Sequence, residues 1–527
     1  MRSLKIEGLS FKYPDADSAA LDGVSLEIRG GELCVIVGAT GSGKSTLLRC
    51  MKPELVPRGE LSGRVTLDGT DVTALDGKAS ASALGFVSQS PDQSIVTDKV
   101  YHELAFGLES VGVAQTQMHR RVAEVCAYFG IEELFERDTD TLSGGQKQLL
   151  CLASAVAMAP DVLLLDEPCS QLDPIAAAEL INAVKRLNAD LGMTVVMVEH
   201  RLEDVIPVCD RLVVLEDGRV THCAEPRKVI SELAKRCPRP AVVEALPTAV
   251  RVYLDNLALF AGEEVPLSVK EMRLLVERTG KVPEITEREP RPNVSDGITL
   301  KLRDVCFRYG KNTPDVIKNL SLEAHRGEVL GILGGNGSGK STLLSLIAGL
   351  EVPHTGSIRL FGKKLRDYRD GSLWRGTVAY MPQDVEVLFT KQTVREELGE
   401  SAWAERLGLA PFLEMHPYDL SGGQKQLLGL ARVLATEPKI LLMDEPTKGL
   451  DPEKRVLLQG VIDSLSADGV TVIIVSHDIE FCARVAHSLT LFFRGSALPP
   501  TTADEFFEGN RFYTTKVLTS LGKKPGQ

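Results

Sequence analysis

A seven-residue stretch that occurs twice constrains this chain more than any other sequence feature. Residues 142–148 and 420–426 both read Leu-Ser-Gly-Gly-Gln-Lys-Gln. In each half the stretch lies downstream of a glycine-rich loop and just upstream of an apolar run that ends in Asp-Glu-Pro. Because the flanking order repeats along with the stretch itself, the sequence predicts a duplicated module.

Each half carries its glycine loop between an apolar run and a helical pattern. Residues 38–46 read Gly-Ala-Thr-Gly-Ser-Gly-Lys-Ser-Thr, and residues 334–342 read Gly-Gly-Asn-Gly-Ser-Gly-Lys-Ser-Thr. Glycines at these positions let successive backbone N–H groups converge on phosphate oxygens at a helix N-terminus. The sequence therefore predicts two phosphate-binding loops (P-loops), in which Lys44 and Lys340 reach the β- and γ-phosphates.

An apolar run ends in paired acids in each half. The pairs are Asp166-Glu167 and Asp444-Glu445. Acids that follow such a run are expected at the carboxyl edge of a parallel sheet, where α/β proteins bind ligands. Each aspartate suits the Mg²⁺ shell together with the serine hydroxyl after the loop lysine, and each glutamate suits orienting or deprotonating an attacking water.

The loops, the repeated stretch and the paired acids together resemble the motifs of ATP-binding cassette (ABC) ATPases. The resemblance implies an α/β fold of two P-loop NTPase cassettes of the ABC type, each with a RecA-like core, an antiparallel β subdomain and a helical subdomain. It also implies that the repeated stretch is the family's signature sequence, whose serine and glycine amides contact the γ-phosphate of ATP held by the opposite cassette. The expected enzyme is an ATPase with two composite ATP sites in an intramolecular head-to-tail cassette dimer.

Histidines and tyrosines keep matching positions in the two halves. His200 and His477 follow apolar runs at nearly the same distance after the acids, and Tyr13 and Tyr309 precede the loop lysines by the same distance. By resemblance to the family, the histidines are switch residues that contact the γ-phosphate. The matched spacing of the tyrosines favours stacking on adenine.

Glutamines and aspartates complete the resemblance. Gln89 and Gln383 resemble the Q-loop glutamines of the family, which contact Mg²⁺ and sense the membrane partner. Asp173 and Asp451 resemble the D-loop aspartates, which communicate between the two sites.

The predicted site residues fall into three groups. The predicted ATP-binding residues are Tyr13, Gly38, Ala39, Thr40, Gly41, Ser42, Gly43, Lys44, Ser45, Thr46, Gln89, Ser143, Gly144, Gly145 and Gln146 in the first half, and Tyr309, Gly334, Gly335, Asn336, Gly337, Ser338, Gly339, Lys340, Ser341, Thr342, Gln383, Ser421, Gly422, Gly423 and Gln424 in the second. The predicted Mg²⁺ ligands are Ser45, Gln89, Asp166, Ser341, Gln383 and Asp444. The predicted catalytic residues are Glu167, His200, Glu445 and His477.

Spacing and local composition divide the chain. The predicted segments are a first ABC ATPase domain (1–239), a small helical extension (240–283), a linker (284–297), a second ABC ATPase domain (298–500) and a C-terminal tail (501–527). In the extension, Ser268 and Glu271 predict a capping box, and Gly280 is placed to end the helix. From the loop lysine to the signature serine the second half is 18 residues shorter than the first, which predicts a trimmed helical subdomain.

Composition limits the partners. Lysine and arginine number 60 against 72 aspartates and glutamates, and the net charge of −12 disfavours nucleic acid as the main partner. The ten cysteines include no CxxC pair and no zinc-ligand cluster. The sequence shows neither the apolar core of a signal peptide nor a run of ~18 apolar residues that could span a bilayer. We therefore expect a protein without direct membrane insertion, peripheral to the cytoplasmic face of the cell membrane, whose transmembrane part other chains supply.

The stretch after the first Q-loop narrows the resemblance. Residues 89–96 and 105–109 look like the segment that follows the Q-loop in energy-coupling-factor (ECF) ATPases, and the helical extension resembles the additional C-terminal segment of that group. The usual Asp-Asn-Gln is Asp92-Gln93-Ser94 here, and residues 383–386 keep little of the pattern. The resemblance implies a subunit that energises ECF-type uptake of a vitamin or a transition-metal ion. Its partners would be a transmembrane coupling protein (T component) and a substrate-binding membrane protein (S component).

Two other classes of tandem-cassette protein stay open at this point. Soluble translation factors that act on ribosomes typically have a long, charged helical pair as their linker, and this sequence shows no basic aromatic surface. Fused sugar-importer ATPases tend to have one degraded site, whereas both halves here keep lysine, glutamate and histidine. The ECF interpretation is preferred for these reasons.

The helix after Gln89 is expected to form a docking surface. An apolar stripe predicted to face the protein's own core consists of Val100, Leu104 and Leu108. Acidic residues predicted to be displayed on its other faces are Asp98, Glu103 and Glu109. Thr393 and Glu396 predict a capping box at the start of a shorter acidic helix in the second half. By resemblance to ECF ATPases, these surfaces receive the arginine-bearing coupling helices of the transmembrane partner.

Overall fold

The computed structural model describes residues 2–14, 16–170, 172–200, 202–237, 240, 242–283, 295, 297–335, 337–368, 371–399, 401–510, 515, 516 and 519. The chain divides into two compact units, Met1–Leu275 and Val276–Gln527. Each predicted cassette falls in one unit, whereas the finer division into extension, linker and tail stays a prediction. Most of the predicted linker, and Asn336 of the second glycine loop, lie outside the described residues.

The strands are numbered in chain order. They are β1 (Leu4–Lys12), β2 (Leu21–Ile28), β3 (Leu33–Val37), β4 (Glu60–Leu67), β5 (Thr70–Asp71), β6 (Leu84–Val87), β7 (Val162–Asp166), β8 (Thr194–Val198), β9 (Arg211–Glu216), β10 (Arg219–Ala224), β11 (Ile298–Phe307), β12 (Ile317–His325), β13 (Val329–Leu333), β14 (Thr355–Leu360), β15 (Lys363–Lys364), β16 (Val378–Met381), β17 (Ile440–Asp444), β18 (Thr471–Val475), β19 (Ser488–Phe493), β20 (Ser496–Ala497) and β21 (Thr501–Thr502).

The α-helices are numbered in the same way. They are α1 (Lys44–Cys50), α2 (Gly77–Ala83), α3 (Pro91–Ser94), α4 (Val100–Ser110), α5 (Gln115–Phe129), α6 (Gly144–Ala157), α7 (Pro174–Leu191), α8 (Pro226–Leu233), α9 (Val242–Ala245), α10 (Thr248–Asp255), α11 (Val269–Thr279), α12 (Lys340–Ile347), α13 (Val394–Leu398), α14 (Trp403–Arg406), α15 (Gly422–Leu434), α16 (Pro452–Ala467), α17 (Ile479–Val485) and α18 (Ala503–Gly509). None of the helices in the described part of the chain has the length and apolarity of a membrane span.

Each unit contains a mainly parallel sheet. In the first unit the strand order is β10-β9-β3-β8-β7-β6, in which β9 and β10 pair antiparallel and the other neighbours pair in parallel. The second unit repeats this order as β20-β19-β13-β18-β17-β16, with β21 also beside β19. Every residue of β3, β7 and β8 is buried, as expected for parallel strands covered on both faces. The carboxyl ends of these three strands meet at one sheet edge, where α/β folds bind ligands.

A four-stranded antiparallel sheet accompanies each parallel sheet. The strand orders are β2-β1-β4-β5 in the first unit and β12-β11-β14-β15 in the second. Phe11 of β1 and Leu47 of α1 belong to one apolar core, and Phe307 of β11 and Leu343 of α12 belong to its counterpart. The helix that begins at each glycine loop is therefore fixed by packing against the antiparallel sheet as well as the parallel one.

The helical subdomains of the two units differ in size. In the first unit, α5 has 15 residues and lies in the chain between α4 and α6. In the second unit the corresponding stretch between α13 and α15 holds α14, which has 4 residues. The prediction that the shorter spacing of the second half trims the helical subdomain is confirmed.

One prediction about α4 is wrong. Val100, Leu104 and Leu108 are buried as expected, but Glu103 is only 7% exposed. Its carboxylate accepts hydrogen bonds from the backbone N–H groups of Val96 and Thr97, at 3.1 and 3.0 Å, and from the Thr97 hydroxyl at 2.9 Å. The loop before α4 folds back over the first turn of the helix, and its N–H groups need an acceptor there. Glu397 is buried in the same role in the second unit, where it also accepts a hydrogen bond from Nε of Arg432 at 3.1 Å.

The extension between the cassettes is helical, as predicted. The Ser268 hydroxyl accepts a hydrogen bond from the N–H of Glu271 at 3.3 Å. The Glu271 carboxylate accepts from the N–H of Leu267 at 2.9 Å, one residue earlier than a capping box requires, and from Nη2 of Arg227 on α8 at 2.8 Å. Glu271 therefore fastens the extension to α8. Gly280 has a φ of 65° and follows the end of α11, as predicted.

The second predicted capping box shows the same displacement. The Thr393 hydroxyl accepts a hydrogen bond from the N–H of Glu396 at 3.2 Å. The Glu396 carboxylate accepts from the N–H of Gln392, at 3.2 Å, rather than from Thr393 as predicted. The helix α13 does begin at this point.

Candidate active sites

The glycine loops require glycine because backbone atoms approach them closely. Gly43 has a φ of 96°, and a Cβ added there would lie 2.3 Å from the carbonyl oxygen of Ala20. A Cβ at Gly38 would lie 2.2 Å from the carbonyl oxygen of Leu215, and one at Gly334 would lie 2.4 Å from that of Phe492. The loops can therefore hold their backbone N–H groups at the N-termini of α1 and α12 only without side chains at these positions.

The loop lysines lie folded over their own loops. Nζ of Lys44 donates to the carbonyl oxygens of Gly38 and Ala39 at 2.9 and 2.7 Å, and Lys340 makes the equivalent two bonds at 2.9 Å each. Both lysine side chains are buried, so their charge is concentrated at the mouth of the loop. Such a charge beside a helix N-terminus is suited to the β- and γ-phosphates.

Two serine hydroxyls support the assignment of the loops to phosphate. The Oγ atoms of Ser42 and Ser338 are buried and have no hydrogen-bond partner among the described residues. A buried hydroxyl without a partner carries an unfavourable free energy that a bound phosphate oxygen can remove. The orphaned hydroxyls occur at the same position in both loops, so both loops fit a nucleotide phosphate.

Serine and aspartate meet at the predicted Mg²⁺ position of each unit. The Ser45 hydroxyl donates to Oδ1 of Asp166 at 2.8 Å. Burial raises the pKa of Asp166, and the hydrogen bond from Ser45 opposes that rise. The pKa of Asp444 is raised by burial in the same way and lowered by its hydrogen bond from Ser341. A bound cation would offset the unfavourable free energy of burying each ionised carboxylate.

This donor set fits Mg²⁺ better than a metal held by protein alone. Within the described residues, no group of three or more histidine, cysteine, aspartate or glutamate side chains could hold a metal ion. Mg²⁺ usually takes one or two protein ligands and completes its octahedral shell with water and phosphate oxygens. One carboxylate and one hydroxyl beside a phosphate loop match that habit.

The two predicted catalytic glutamates share an unusual backbone conformation. Glu167 has a φ of 46° and Glu445 a φ of 51°, in the left-handed region that non-glycine residues rarely adopt. Their N–H groups donate to Val198 and Val475, at 2.9 and 2.8 Å, on the neighbouring strands. Local strain of this kind concentrates at functional sites.

In the first unit, the catalytic glutamate lies between two predicted site residues. Nε2 of Gln89 donates to Oε2 of Glu167 at 3.1 Å, and Nε2 of His200 lies 2.9 Å from Oε1. The structure therefore brings together the Q-loop, the paired acids and the switch histidine around one carboxylate.

In the second unit, the residues that follow β18 hold the carboxylate of Glu445. The Ser476 hydroxyl and the His477 backbone N–H donate to Oε2 of Glu445 at 3.2 and 3.1 Å, and Nε2 of His477 lies 3.2 Å from Oε1. Burial raises the pKa of Glu445 to about 7, against the lowering effect of the hydrogen bond from His477. A carboxylate with a pKa near neutrality is suited to accept a proton from water. Gln383 lies at the end of β16 and is exposed.

Sequence reasoning missed a buried glutamate in the first unit. Glu199 is 1% exposed; its Oε1 accepts from the N–H of His200 at 2.9 Å and its Oε2 from the N–H of Cys169 at 3.1 Å. It joins the switch-histidine segment to the loop that leads to the D-loop. The sequence does show a difference at this position, because the residue before the switch histidine is Glu199 in one half and Ser476 in the other.

The predicted adenine-stacking tyrosines lie beside the P-loop helices. The Tyr13 hydroxyl is 3.0 Å from Oγ1 of Thr46, and the Tyr309 hydroxyl is 2.9 Å from Oγ1 of Thr342. Each ring also meets a core phenylalanine edge-on. The two tyrosines are thus placed equivalently, and their contact with adenine stays a prediction.

The signature stretches begin long helices. Ser143 and Gln146 form a reciprocal capping box at the start of α6, and Ser421 and Gln424 form one at the start of α15. A Cβ at Gly145 would lie 2.8 Å from Cβ of Ala176 on α7, which explains glycine there. The predicted contact of each signature with ATP of the opposite cassette stays a prediction.

The D-loop aspartates also cap helices. Oδ1 of Asp173 accepts from the N–H groups of Ile175 and Ala176, each at 2.9 Å, and Asp451 caps α16 through the N–H of Lys454 at 2.9 Å. Their side chains fix the start of α7 and α16, the helices that follow the paired acids.

Comparison with known proteins supplies independent information. The family model described as ABC transporter matches residues 21–170 and 317–448. A candidate ABC transporter ATP-binding protein of Bacillus thuringiensis subsp. konkukian (strain 97-27) is 35% identical over 537 residues, which cover 99% of this chain and 95% of that protein.

Two solved structures are also similar. The archaeal ribosome recycling factor aABCE1, in complex with ribosomal stalk protein aP1, aligns with a TM-score of 0.61 at 22% identity over 95% of this chain and 92% of its own. The structure of cbiO1 from Clostridium perfringens, part of the ABC transporter complex cbiONQ, has 31% identity and a TM-score of 0.39, and covers 45% of this chain and 96% of its own. At its low identity, the first of these shows likeness of fold alone.

Proposed function

This chain belongs to the ABC transporter family, and from that premise we propose that it is the ATP-hydrolysing subunit of an ECF-type importer of a vitamin or a transition-metal ion. Family membership makes it an ATPase with tandem cassettes. The observation that carries the proposal of active transport is that both units keep a complete site, with loop lysine, paired acids and switch histidine.

The residues of the first unit have distinct roles in hydrolysis. Lys44 and the N-terminus of α1 bind the β- and γ-phosphates. Mg²⁺, when bound beside Ser45 and Asp166, supplies positive charge to the phosphate oxygens. Glu167 orients the attacking water and accepts its proton. The second unit repeats these roles with the equivalent residues.

The switch histidine has to exchange partners during the reaction. His200 contacts Glu167 at 2.9 Å in this geometry, so the same imidazole nitrogen cannot simultaneously bind the γ-phosphate and stay on the carboxylate. Binding of ATP would draw the histidine to the phosphate and free one oxygen of Glu167 for water. His477 and Glu445 provide the same exchange in the second unit.

We infer that each site is completed by the signature of the opposite cassette. Lys44, Glu167 and His200 would then face Ser421, and Lys340, Glu445 and His477 would face Ser143. In the double variant Glu167→Gln, Glu445→Gln, ATP should bind but the closed state should persist, because the water is no longer deprotonated.

Cysteines introduced at Ser42 and Ser421, in a background without the native thiols, test this arrangement. In the double variant, the pair should cross-link when ATP is present and not without it. A matched pair at Ser42 and Ser143, within one unit, is the control. Cross-linking that is indifferent to ATP would contradict the composite sites.

The segment after the first Q-loop supports a protein partner. Val96 is 62% exposed and Phe106 is 49% exposed, and both follow Gln89 closely in the chain. Asp98 and Glu109 are exposed in the same stretch of chain, where Oδ1 of Asp98 lies 3.0 Å from Nδ1 of His102. A stretch with exposed apolar and acidic side chains is suited to a cationic, amphipathic helix of a transmembrane protein, and the charges would fix its orientation more than its affinity. The burial of Glu103 removes that residue from the surface.

Transport is tested directly by reconstitution. Membrane proteins that co-purify with the full chain from native membranes in detergent are identified and returned with it to liposomes. We expect ATP-dependent accumulation of a labelled vitamin or transition-metal ion. Co-purification of ribosomes without membrane proteins would overturn the proposal in favour of a translation factor.

Charge reversal sharpens that experiment. Asp98→Lys with Glu109→Lys should lower recovery of the membrane partner by about tenfold or more and leave ATP affinity unchanged, because neither residue touches the nucleotide site. Glu133→Lys, at another exposed position of the same subdomain, is the matched control. Undiminished recovery and transport in the double variant would show that the partner binds elsewhere.

A further inference from the structure

A glutamate three residues after each switch histidine makes an unexpected contact. In the first unit, Oε2 of Glu203 accepts hydrogen bonds from the backbone N–H and the hydroxyl of Thr248, at 2.9 and 3.1 Å. Thr248 is the first residue of α10, in the extension that follows the first cassette. Glu203 thus satisfies a donor at the start of a helix that has no capping side chain of its own.

The second unit repeats the contact with a different partner segment. Oε1 of Glu480 accepts a hydrogen bond from the backbone N–H of Lys516 at 2.6 Å. Nearby, the N–H of Thr519 donates to the carbonyl oxygen of Thr515 at 3.1 Å. Equivalent glutamates therefore bind a backbone N–H group in the segment that follows each cassette.

The two partner segments have little in common in sequence. Thr248 follows Leu246-Pro247, and Lys516 follows two threonines. Both glutamates nevertheless bind a backbone N–H group, which any residue but proline can offer. The contact to a backbone N–H group is therefore present in both units although the partner side chains differ.

Each glutamate lies in the segment that carries the switch histidine of its unit. In the second unit, Phe481 and Val485 of α17 share one core with Phe506 and Phe507 of α18. Since α17 begins two residues after His477, the helix that follows the histidine packs in the same core as α18. In the first unit, Leu202 and Val205 are buried on either side of Glu203.

We propose that Glu203 and Glu480 are positioning residues, each of which ties the switch-histidine segment of its unit to the segment that follows the cassette and so keeps the backbone of His200 or His477 beside the catalytic glutamate while the imidazole exchanges partners. Displacements of about 1 Å in such a segment are enough to reduce turnover. The hydrogen bonds that carry the proposal join each glutamate to a backbone N–H group of the following segment, not to a glycine loop. Each glutamate would influence the position of the histidine that lies three residues before it in the chain.

The test uses the full chain and four variants. Glu203→Ala and Glu480→Ala should each lower kcat of the affected site by about tenfold and leave the KM for ATP within about twofold, since the P-loop is untouched. Glu203→Gln and Glu480→Gln keep a carbonyl oxygen that can accept from the same N–H group and should restore most of the kcat. The matched controls are Glu179→Ala and Glu405→Ala, which replace exposed glutamates and should keep the kcat of the parent.

To see one site at a time, each Glu203 variant is measured with Glu445→Gln and each Glu480 variant with Glu167→Gln. Amide hydrogen exchange at Thr248 and Lys516 reports whether the contact has been released. Tyr253→Phe, which removes the 2.8 Å hydrogen bond that the Tyr253 hydroxyl donates to the backbone carbonyl oxygen of Glu263 inside the extension, should destabilise the extension without lowering kcat.

The proposal is overturned if the alanine variants exchange faster at Thr248 or Lys516 yet keep the parent kcat. It is also overturned if Tyr253→Phe lowers kcat as much as Glu203→Ala, because general loosening of the extension would then explain both. Should Glu203→Ala fail to fold, Thr248→Val keeps the backbone bond to Glu203 but removes the hydroxyl bond, together with the 3.4 Å bond that Nη2 of Arg251 donates to the same hydroxyl, and should lower kcat about twofold.

Discussion

The two proposed catalytic centres of this chain carry the same predicted catalytic side chains but hold them differently. Gln89 and His200 contact the carboxylate of Glu167, and a separate buried carboxylate, Glu199, accepts a hydrogen bond from the histidine backbone. Around Glu445 the residue before the histidine is a serine that donates to the glutamate itself. The difference shows that identical motifs do not guarantee identical environments, and it leads us to expect unequal turnover at the two sites.

A second difference lies in the signature helices. Nε2 of Gln148 on α6 donates to the carbonyl oxygen of Ser88 at 3.1 Å, next to the Q-loop glutamine. The equivalent Gln426 on α15 donates to the carbonyl oxygen of Pro446 at 3.4 Å, next to Glu445. Both signature helices also pair with the segment after the Q-loop glutamine, through Lys147 with Asp92 and Lys425 with Glu386. The second unit therefore differs in that its signature helix has an additional bond beside the paired acids, through which motion of the helical subdomain could reach Glu445.

The largest expected effect removes the feature that the two sites share. Lys44→Ala with Lys340→Ala should abolish ATP hydrolysis, by about 10³-fold or more, because no neutral side chain replaces the positive charge on the phosphates. The single variants compare the two sites: if the sites turn over unequally, one single variant loses more activity than the other. Steady-state ATPase rates with Mg²⁺ check this, with Lys185→Ala, at an exposed lysine of α7, as control. Parent activity in the double variant would refute the site assignment.

An intermediate effect is expected at the position where the sites differ. Glu199→Ala leaves the N–H groups of Cys169 and His200 without that acceptor in a buried place, which should lower kcat of the first site by about tenfold. Ser476→Ala removes one of several donors to Glu445 and should lower kcat of the second site by only about twofold. Each variant is measured with the opposite glutamate changed to glutamine. Equal losses of kcat at the two positions would show that the difference in contacts between the sites does not affect turnover.

The smallest expected effect is a shift in pH dependence. With Glu167→Gln in place, hydrolysis depends on Glu445, whose pKa burial raises to about 7. A base acts only when ionised, so kcat should fall as pH drops through about 7, with less than a twofold gain between pH 7 and pH 8. A kcat that is flat between pH 5.5 and 8 would contradict the assigned pKa.

The same pKa has a consequence for stability. A carboxylate whose folded pKa exceeds its unfolded value stabilises the fold below about pH 4.5, and that contribution is lost as pH rises through about 7. Glu445→Gln should therefore raise the free energy of unfolding at pH 8, by up to about 3 kcal/mol, and change it little at pH 4. Thermal unfolding of the nucleotide-free chain at both pH values measures this, with Glu405→Gln as control.

Motif spacing predicted the parts of the sites that depend on the chain's local order. The P-loops, the paired acids and the switch histidines each follow a buried strand, and parallel strands deliver their ends to one edge whatever the rest of the chain does. Glu103 was placed wrongly because helical periodicity shows which side a residue faces but not whether a preceding loop folds over it. Glu199 and Glu203 were missed for a similar reason: their partners, Cys169 and Thr248, are 30 and 45 residues away in the chain.

The left-handed backbone at Glu167 and Glu445 places local strain at the two positions of the proposed general bases. Glycine adopts such a φ without strain, whereas a side chain there costs about 1 kcal/mol. Replacing both glutamates with glycine should relieve this strain, but it also removes the carboxylates that accept hydrogen bonds from Gln89 and Ser476. We therefore expect an inert chain whose melting temperature differs little from that of the parent.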